Sequence, residues 1–103
     1  MTKILYDLHI HSALSPCADN DMTPVNIGAM SSAKGLQIIA VADHNAIANV
    51  AAAREVGEAL DVIVVPAVEL QTQEDVHILC LFETFENLQS FFAEISVKDL
   101  KNR

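Results

Sequence analysis

The chain has 103 residues, 51% of them hydrophobic, which is enough for the core of one domain and no more. Fourteen acidic against six basic side chains give a formal charge of -8, and no Lys/Arg run or basic stripe offsets it, so a general nucleic-acid surface and attraction to an anionic membrane are excluded. No apolar run reaches the length of a membrane span, the opening MTKILYDLHIHS lacks a signal-peptide pattern, and two cysteines that are not spaced as C-x-x-C make no disulfide framework; a reducing, cytoplasmic setting is the expectation.

Residues 3–10 read as a short apolar strand that carries Asp7 and His9. Residues 19–22 are polar and read as loop. Thr23 and Pro24 mark a helix start, since Thr caps and Pro suits the first helical position. Ile27, Met30 and Ala33 then recur at helical spacing, and Gly35 stands where a helix-terminating glycine belongs. Residues 36–42 form a continuous apolar run, as expected of a strand buried on both faces. Ile47, Val50, Ala53 and Leu60 outline a second helix, which Asp61 ends. Residues 62–70 read as a third strand and 76–82 as a fourth. Thr84 caps a last helix whose Leu88, Phe91, Phe92 and Ile95 fall on one face. Residues 96–103 are polar and read as a frayed tail. Alternating strand and helix means α/β with a mostly parallel sheet. One connection departs from that. Only residues 71–75 separate the last two strands, too few for a parallel crossover, so these two form a β-hairpin near 69–77. A hairpin centred on Gln73 sets Glu69 opposite His77 on the same face.

The four histidines carry most of the information. His9 and His11 lie two apart on the first strand, so their rings point the same way. His44 follows Asp43 at the end of the second strand. Glu69 ends the third, and His77 returns beside it through the hairpin. In α/β folds the C-terminal strand ends are where sites assemble. Imidazole nitrogen and carboxylate oxygen are ligands that zinc, manganese and iron all accept. Several His with several acids exceed what one ion needs, and Glu69 is the natural bridge between two. An unpaired Glu69 in a strand of Val, Ile, Pro and Ala is costly to bury. Asp7 and Asp43 are placed to hold an imidazole ring from behind and fix its tautomer. Cys80, amid Ile, Leu and Phe, reads as core, as do Phe91 and Phe92. Cys17 is open between ligand and inert thiol. Asp19 and Asp21 are open between ligands, loop caps and exposed acids.

These motifs together resemble the polymerase and histidinol phosphatase (PHP) family. The segment Asp7-Leu-His-Ile-His-Ser12 matches its D-L-H-x-H-S/T motif, and Val41-Ala-Asp-His44 its T-D-H, with Ala42 in place of Thr. Val68-Glu69 and Val76-His-Ile-Leu79 come next, in order and at fitting spacing. The loop from Leu14 to Pro24 resembles an S-P-C-A-x-x-D-M-T-P variant within the family. The likeness runs from Lys3 to about Phe92. It implies that residues 1–103 are a single partial domain, the N-terminal part of a distorted (β/α)7 barrel that binds up to three divalent metal ions. By motif, His9 and His11 would hold one ion, Glu69 would bridge it to a second held by His77, and His44 would hold a third. The resemblance asks for a loop ligand to that third ion shortly after the H-x-H, and Asp19 is favoured over Cys17. The motifs of the later strands are absent, which implies a longer parent, or self-association or a partner segment that completes the barrel.

The activity implied is hydrolysis of phosphate monoesters, nucleotides or oligonucleotide ends (as by a phosphatase or a 5′-3′ exonuclease) with water activated by metal. Glu69, His9 and His11 are the residues on which catalysis would turn. None of the six basic residues lies in a motif loop, so phosphate binding would depend on metal charge. Two other readings stand beside it. An amidohydrolase-type deaminase or hydrolase also opens with H-x-H on its first strand, though the later motifs fit it less well. The chain as given would otherwise be an inactive metal-binding piece.

Overall fold

A computed structural model of the chain describes residues 3–15, 17–95 and 100–101. Three parallel strands, β1 (Tyr6–Ile10), β2 (Ile38–Val41) and β3 (Ile63–Val64), lie in the order β1-β2-β3. The crossovers between them are α1 (Pro24–Ala33) and α2 (Val50–Leu60). An antiparallel hairpin of β4 (Ala67–Gln71) and β5 (His77–Leu81) comes next, and α3 (Phe85–Glu94) closes the order. The result is mixed α/β, and the described residues do not close into a barrel. Among them no helix is long and apolar enough to cross a membrane.

The local helix signals are honoured. Thr23 accepts the Asn26 N–H at 3.3 Å, Thr84 accepts the Asn87 N–H at 3.1 Å, and Gly35 terminates α1 at φ 77°. The buried face of α1 differs from expectation. Met30 is half exposed and Ala33 is exposed, while Ile27, Gly28 and Ser31 face inward. The cause is close helix packing: a Cβ on Gly28 would stand 2.4 Å from Val56 Cγ1 of α2. Small residues, rather than an apolar stripe, let the two helices meet.

The strand expected over 62–70 is two strands. Val65 still donates to Ile39 at 2.8 Å, but Pro66 has no N–H to continue the ladder. Pairing with the β2 line resumes beyond it, where Glu69 N–H donates to Asp43 at 3.0 Å and Asn45 N–H donates to Glu69 at 3.0 Å. The hairpin is thereby stitched to the end of β2. Asn45 completes the join from a left-handed backbone, φ 53°. Its side chain accepts the Gln71 N–H at 2.8 Å and donates to the Gln71 carbonyl at 3.0 Å, as a strand residue would.

The hairpin register is also shifted. Gln71, not Glu69, stands opposite His77, because the turn spans Thr72 to Val76 with Asp75 at φ 69°. Glu69 and His77 are diagonal neighbours on one face. The tail expected to fray is docked where it is described. Lys101 N–H donates to Gln71 at 2.8 Å, and Leu100 bridges to Thr72.

The core has a helix side and a sheet-only side. Ile39 and Val41 pack with Ile27, Ala53, Val62 and Val64 under the helices. Ala40, Ala42 and Ala67 face the other way, with Leu8 and Val65. Ile10 joins the first group and Leu8 the second, although strand alternation would put both on one face. A register shift in β1 between Asp7 and Ile10 supplies the extra residue that accounts for it. Leu88, Phe91 and Phe92 of α3 pack on Val50, Val68 and Leu70, with Cys80 beside them, as expected.

Gly57 tests this packing. A Cβ there would meet the Val62 carbonyl oxygen at 2.5 Å and Val64 Cγ2 at 2.7 Å. Gly57→Ala should lower stability by about 2 kcal/mol, the overpacking cost exceeding the helix-propensity gain of about 1 kcal/mol. Chemical denaturation measures it, and an unchanged or raised midpoint would contradict the packing described.

Candidate metal centre

The site stands where β1, β2 and the hairpin end together. Glu69 is 5% exposed in a strand whose neighbours Val68 and Leu70 are core. An ionised carboxylate there needs partners, and it has four. His9 Nε2 and His11 Nε2 lie 2.8 and 2.7 Å from Glu69 Oε1. His44 Nε2 lies 3.4 Å from the same oxygen, and His77 Nδ1 lies 3.4 Å from Oε2. Successive ring centroids, His9 to His11 to His44 to His77, are 5.0, 4.5 and 5.2 Å apart. His9 lies within the register shift of β1 between Asp7 and Ile10, and His11 directly follows the strand's last residue.

The electrostatics come from this crowding. Burial works against charge on Glu69, but hydrogen bonds from His9 and His11 outweigh it and hold the carboxyl down to about 2. Burial lowers the pKa of His44, against the attraction of Glu69, and the neighbouring His11, His77 and His9 add to the lowering.

The chemistry of the donor set tests the fit to a metal. Three imidazole nitrogens crowd one oxygen within 3.4 Å, which is more than its lone pairs can accept as hydrogen-bond donors. His44 Nδ1 is buried with no hydrogen-bond partner. The ligand atoms of His9, His11 and Glu69, of His44, Glu69 and His77, and of His11, Cys17 and His44 each lie within 4.8 Å of one another. These residues fit divalent cations, with Glu69 common to two groups.

The other candidates fall differently. Asp19 is exposed and belongs to none of these groups; Cys17 stands there instead, its Sγ 2.9 Å from His11 Nδ1. Ser15 N–H donates to Ser12 and Ala18 N–H to Ser15, both at 3.0 Å, in the loop that sets Cys17 against His11. Asp43 is buried but holds no ring. Its Oδ1 accepts the Ser12 N–H at 2.6 Å and the Ser15 hydroxyl at 2.7 Å, and its Oδ2 accepts the Ser12 hydroxyl. The Ser15 hydroxyl oxygen accepts the His44 N–H at 3.1 Å. Asp43 therefore ties the loop after β1 to the end of β2, and positions His11 and His44 through backbone. Asp7 accepts the His9 backbone N–H at 3.1 Å rather than a ring proton. Sequence reasoning missed Ser12 and Ser15; the serine directly after H-x-H was the available signal. A cavity of about 390 Å³ opens beside His9 and His11, with Met22, Ile27 and Leu36 on its walls and Lys34 as its cation.

No protein-family model matches the chain, and no curated protein matches it. Solved structures do. A protein from Bifidobacterium adolescentis, provisionally named a metal-dependent phosphoesterase, superposes with a TM-score of 0.65 at 27% identity, over 89% of this chain and 33% of that one. An amidohydrolase from Chromobacterium violaceum, with bound sulfate and no metal, gives a TM-score of 0.64 at 23% identity, over 87% and 32%. The chain spans about a third of the length of these structures and shares their fold over that third.

His44 offers a pH test in chelated protein. Its pKa lies below the ordinary 6.5, so the folded state disfavours its proton. Between the unfolded and folded values, each step down in pH then favours the unfolded chain. Its ring-proton NMR resonance should titrate with a midpoint below 6.5; a midpoint at or above that value would contradict the burial described.

Proposed function

We propose that this chain supplies the metal-holding strand ends of a phosphoesterase of the PHP type. The observation that carries the reading is the convergence of His9, His11, His44 and His77 on both oxygens of one buried carboxylate, Glu69. The order D-L-H-x-H-S, D-H, V-E, H-I-L along the chain supports it, as does the shared fold with a protein named a phosphoesterase.

In this reading His9, His11 and Glu69 would hold one divalent ion, and His77 with Glu69 would hold a second. Ions bound there would supply a lowered pKa for a coordinated water and positive charge to meet a phosphate. The protein's own contribution is placement. Glu69, held ionised, keeps the imidazoles converged. Asp43 pins the loop after β1, so that His11 and His44 keep their spacing. The cavity beside His9 and His11 gives room for a small ester. The charge of -8 favours a small phosphate monoester or nucleotide over a long nucleic acid; an oligonucleotide end presents the same chemistry. Self-association or a partner segment that completes the barrel belongs to the same proposal, since Ile78, Leu79 and Leu81 of β5 are exposed.

Phosphate affinity tests the reading. Among the described residues, the cations set near the cluster are Lys34 on the cavity wall and Lys101, which is paired with Asp75 at 3.2 Å. Calorimetry should show inorganic phosphate binding to the metal-loaded chain and none after full chelation. Tight binding after chelation would overturn the reading. Turnover of amides or aminopurines, with none of phosphate esters, would replace it with the amidohydrolase reading.

A further inference from the structure

Asp7 and Asp43 accept from backbone N–H groups and serine hydroxyls rather than from rings, yet one ring of the cluster does have a carboxylate behind it. His77 Nδ1 lies 3.4 Å from Glu69 Oε2, while its Nε2 lies 3.7 Å from Asp75 Oδ1. The second contact is at ion-pair rather than hydrogen-bond distance. Among the described residues, His77 is the ring of the cluster with a carboxylate at each nitrogen. Asp75 is held where it stands. Its Oδ1 accepts from Gln71 Nε2 at 2.6 Å and from Lys101 Nζ at 3.2 Å, and a carboxylate has lone pairs for these two and for a further donor. Gln71 is directly opposite His77 in the hairpin. The turn aims the carboxylate: Asp75 adopts φ 69°, and its N–H donates to the Thr72 carbonyl at 2.9 Å.

We propose that Asp75 is a positioning residue for the hairpin corner of the cluster: it takes the Nε2 proton of His77 and so leaves Nδ1 free for a cation beside Glu69. It rests on the proposed metal centre and deepens it. The warrant is the place of one proton. A neutral imidazole carries its proton on one nitrogen and a lone pair on the other, and the nitrogen with the lone pair is the one that can bind a metal. Glu69 alone would draw the proton to Nδ1, where it blocks the side that a cation needs. A carboxylate on the far side draws it to Nε2 instead, fixes that tautomer and raises the basicity of Nδ1. Lys101, whose backbone N–H donates to Gln71 at 2.8 Å, ties the same carboxylate to the docked tail. The tail thereby steadies His77 at one remove.

Asp75→Gly is the test variant, because glycine keeps a left-handed turn while removing the carboxylate. Heteronuclear NMR of the imidazole nitrogens, on chelated chain at a pH where His77 is neutral, reads the tautomer directly. The parent should carry the proton on Nε2, and Asp75→Gly should carry it on Nδ1. Zinc titration should then show one bound equivalent weakened by about 10- to 100-fold in the variant, the usual effect of losing a carboxylate behind a ligand ring, and the equivalent at His9 and His11 unchanged. Asp75 is exposed, so circular dichroism of the variant should match the parent. An Nδ1 proton in the parent, an unchanged tautomer in the variant, or an unchanged zinc affinity overturns this inference and leaves the Glu69 centre standing. A parent that binds no zinc overturns both.

Discussion

The structure depends on one buried carboxylate. Glu69 sits in a strand whose other inward residues are apolar, and its charge is met by imidazoles from three separate stretches of chain. Each partner reaches it from the end of an element: β1 for His9 and His11, the extension of β2 for His44, the return strand for His77. Removing the carboxylate would leave four rings crowded without a common acceptor. Removing the rings would leave a charge in the core, which is the costlier fault. The two needs hold the strand ends in register. A cation placed among the same groups draws on lone pairs that hydrogen bonds alone cannot all satisfy.

Behind that contact lies a framework of backbone and short polar side chains. Pro66 breaks the strand that leads to Glu69, and the β2 extension takes the pairing up again through Asp43 and Asn45. Asp43 then commits its acceptors to Ser12 and Ser15, which fastens the loop that leaves β1. Ala40, Ala42 and Ala67 keep the inner face thin, and bulk is kept to the helix side with Ile39 and Val41. Small residues therefore recur wherever elements close on one another, at Gly28 and Gly57 as at these alanines.

Much of this was legible in the sequence. Thr23, Gly35 and Thr84 are local signals, and local hydrogen bonds honour them. The histidines were legible as strand-end residues because alternation of strand and helix fixes which ends share a side. What was not legible depended on geometry that spacing does not encode. The hairpin register turned on Asp75 adopting a left-handed backbone, which moved His77 opposite Gln71. The buried face of α1 was hidden because its contact residues, Gly28 and Ser31, are not apolar. Which loop residue stands beside His11 depends on how the loop bends, and Asp43 found hydroxyls where a ring was expected.

The most direct measurement is metal content per chain by elemental mass spectrometry, on protein purified without a metal-affinity tag, for the parent and for Glu69→Gln. The account predicts two or more ions per chain in the parent and fewer in the variant, since the shared carboxylate is lost with its charge. A parent chain that carries no stoichiometric metal after exposure to zinc, manganese and iron would contradict it, as would a variant that retains the full complement.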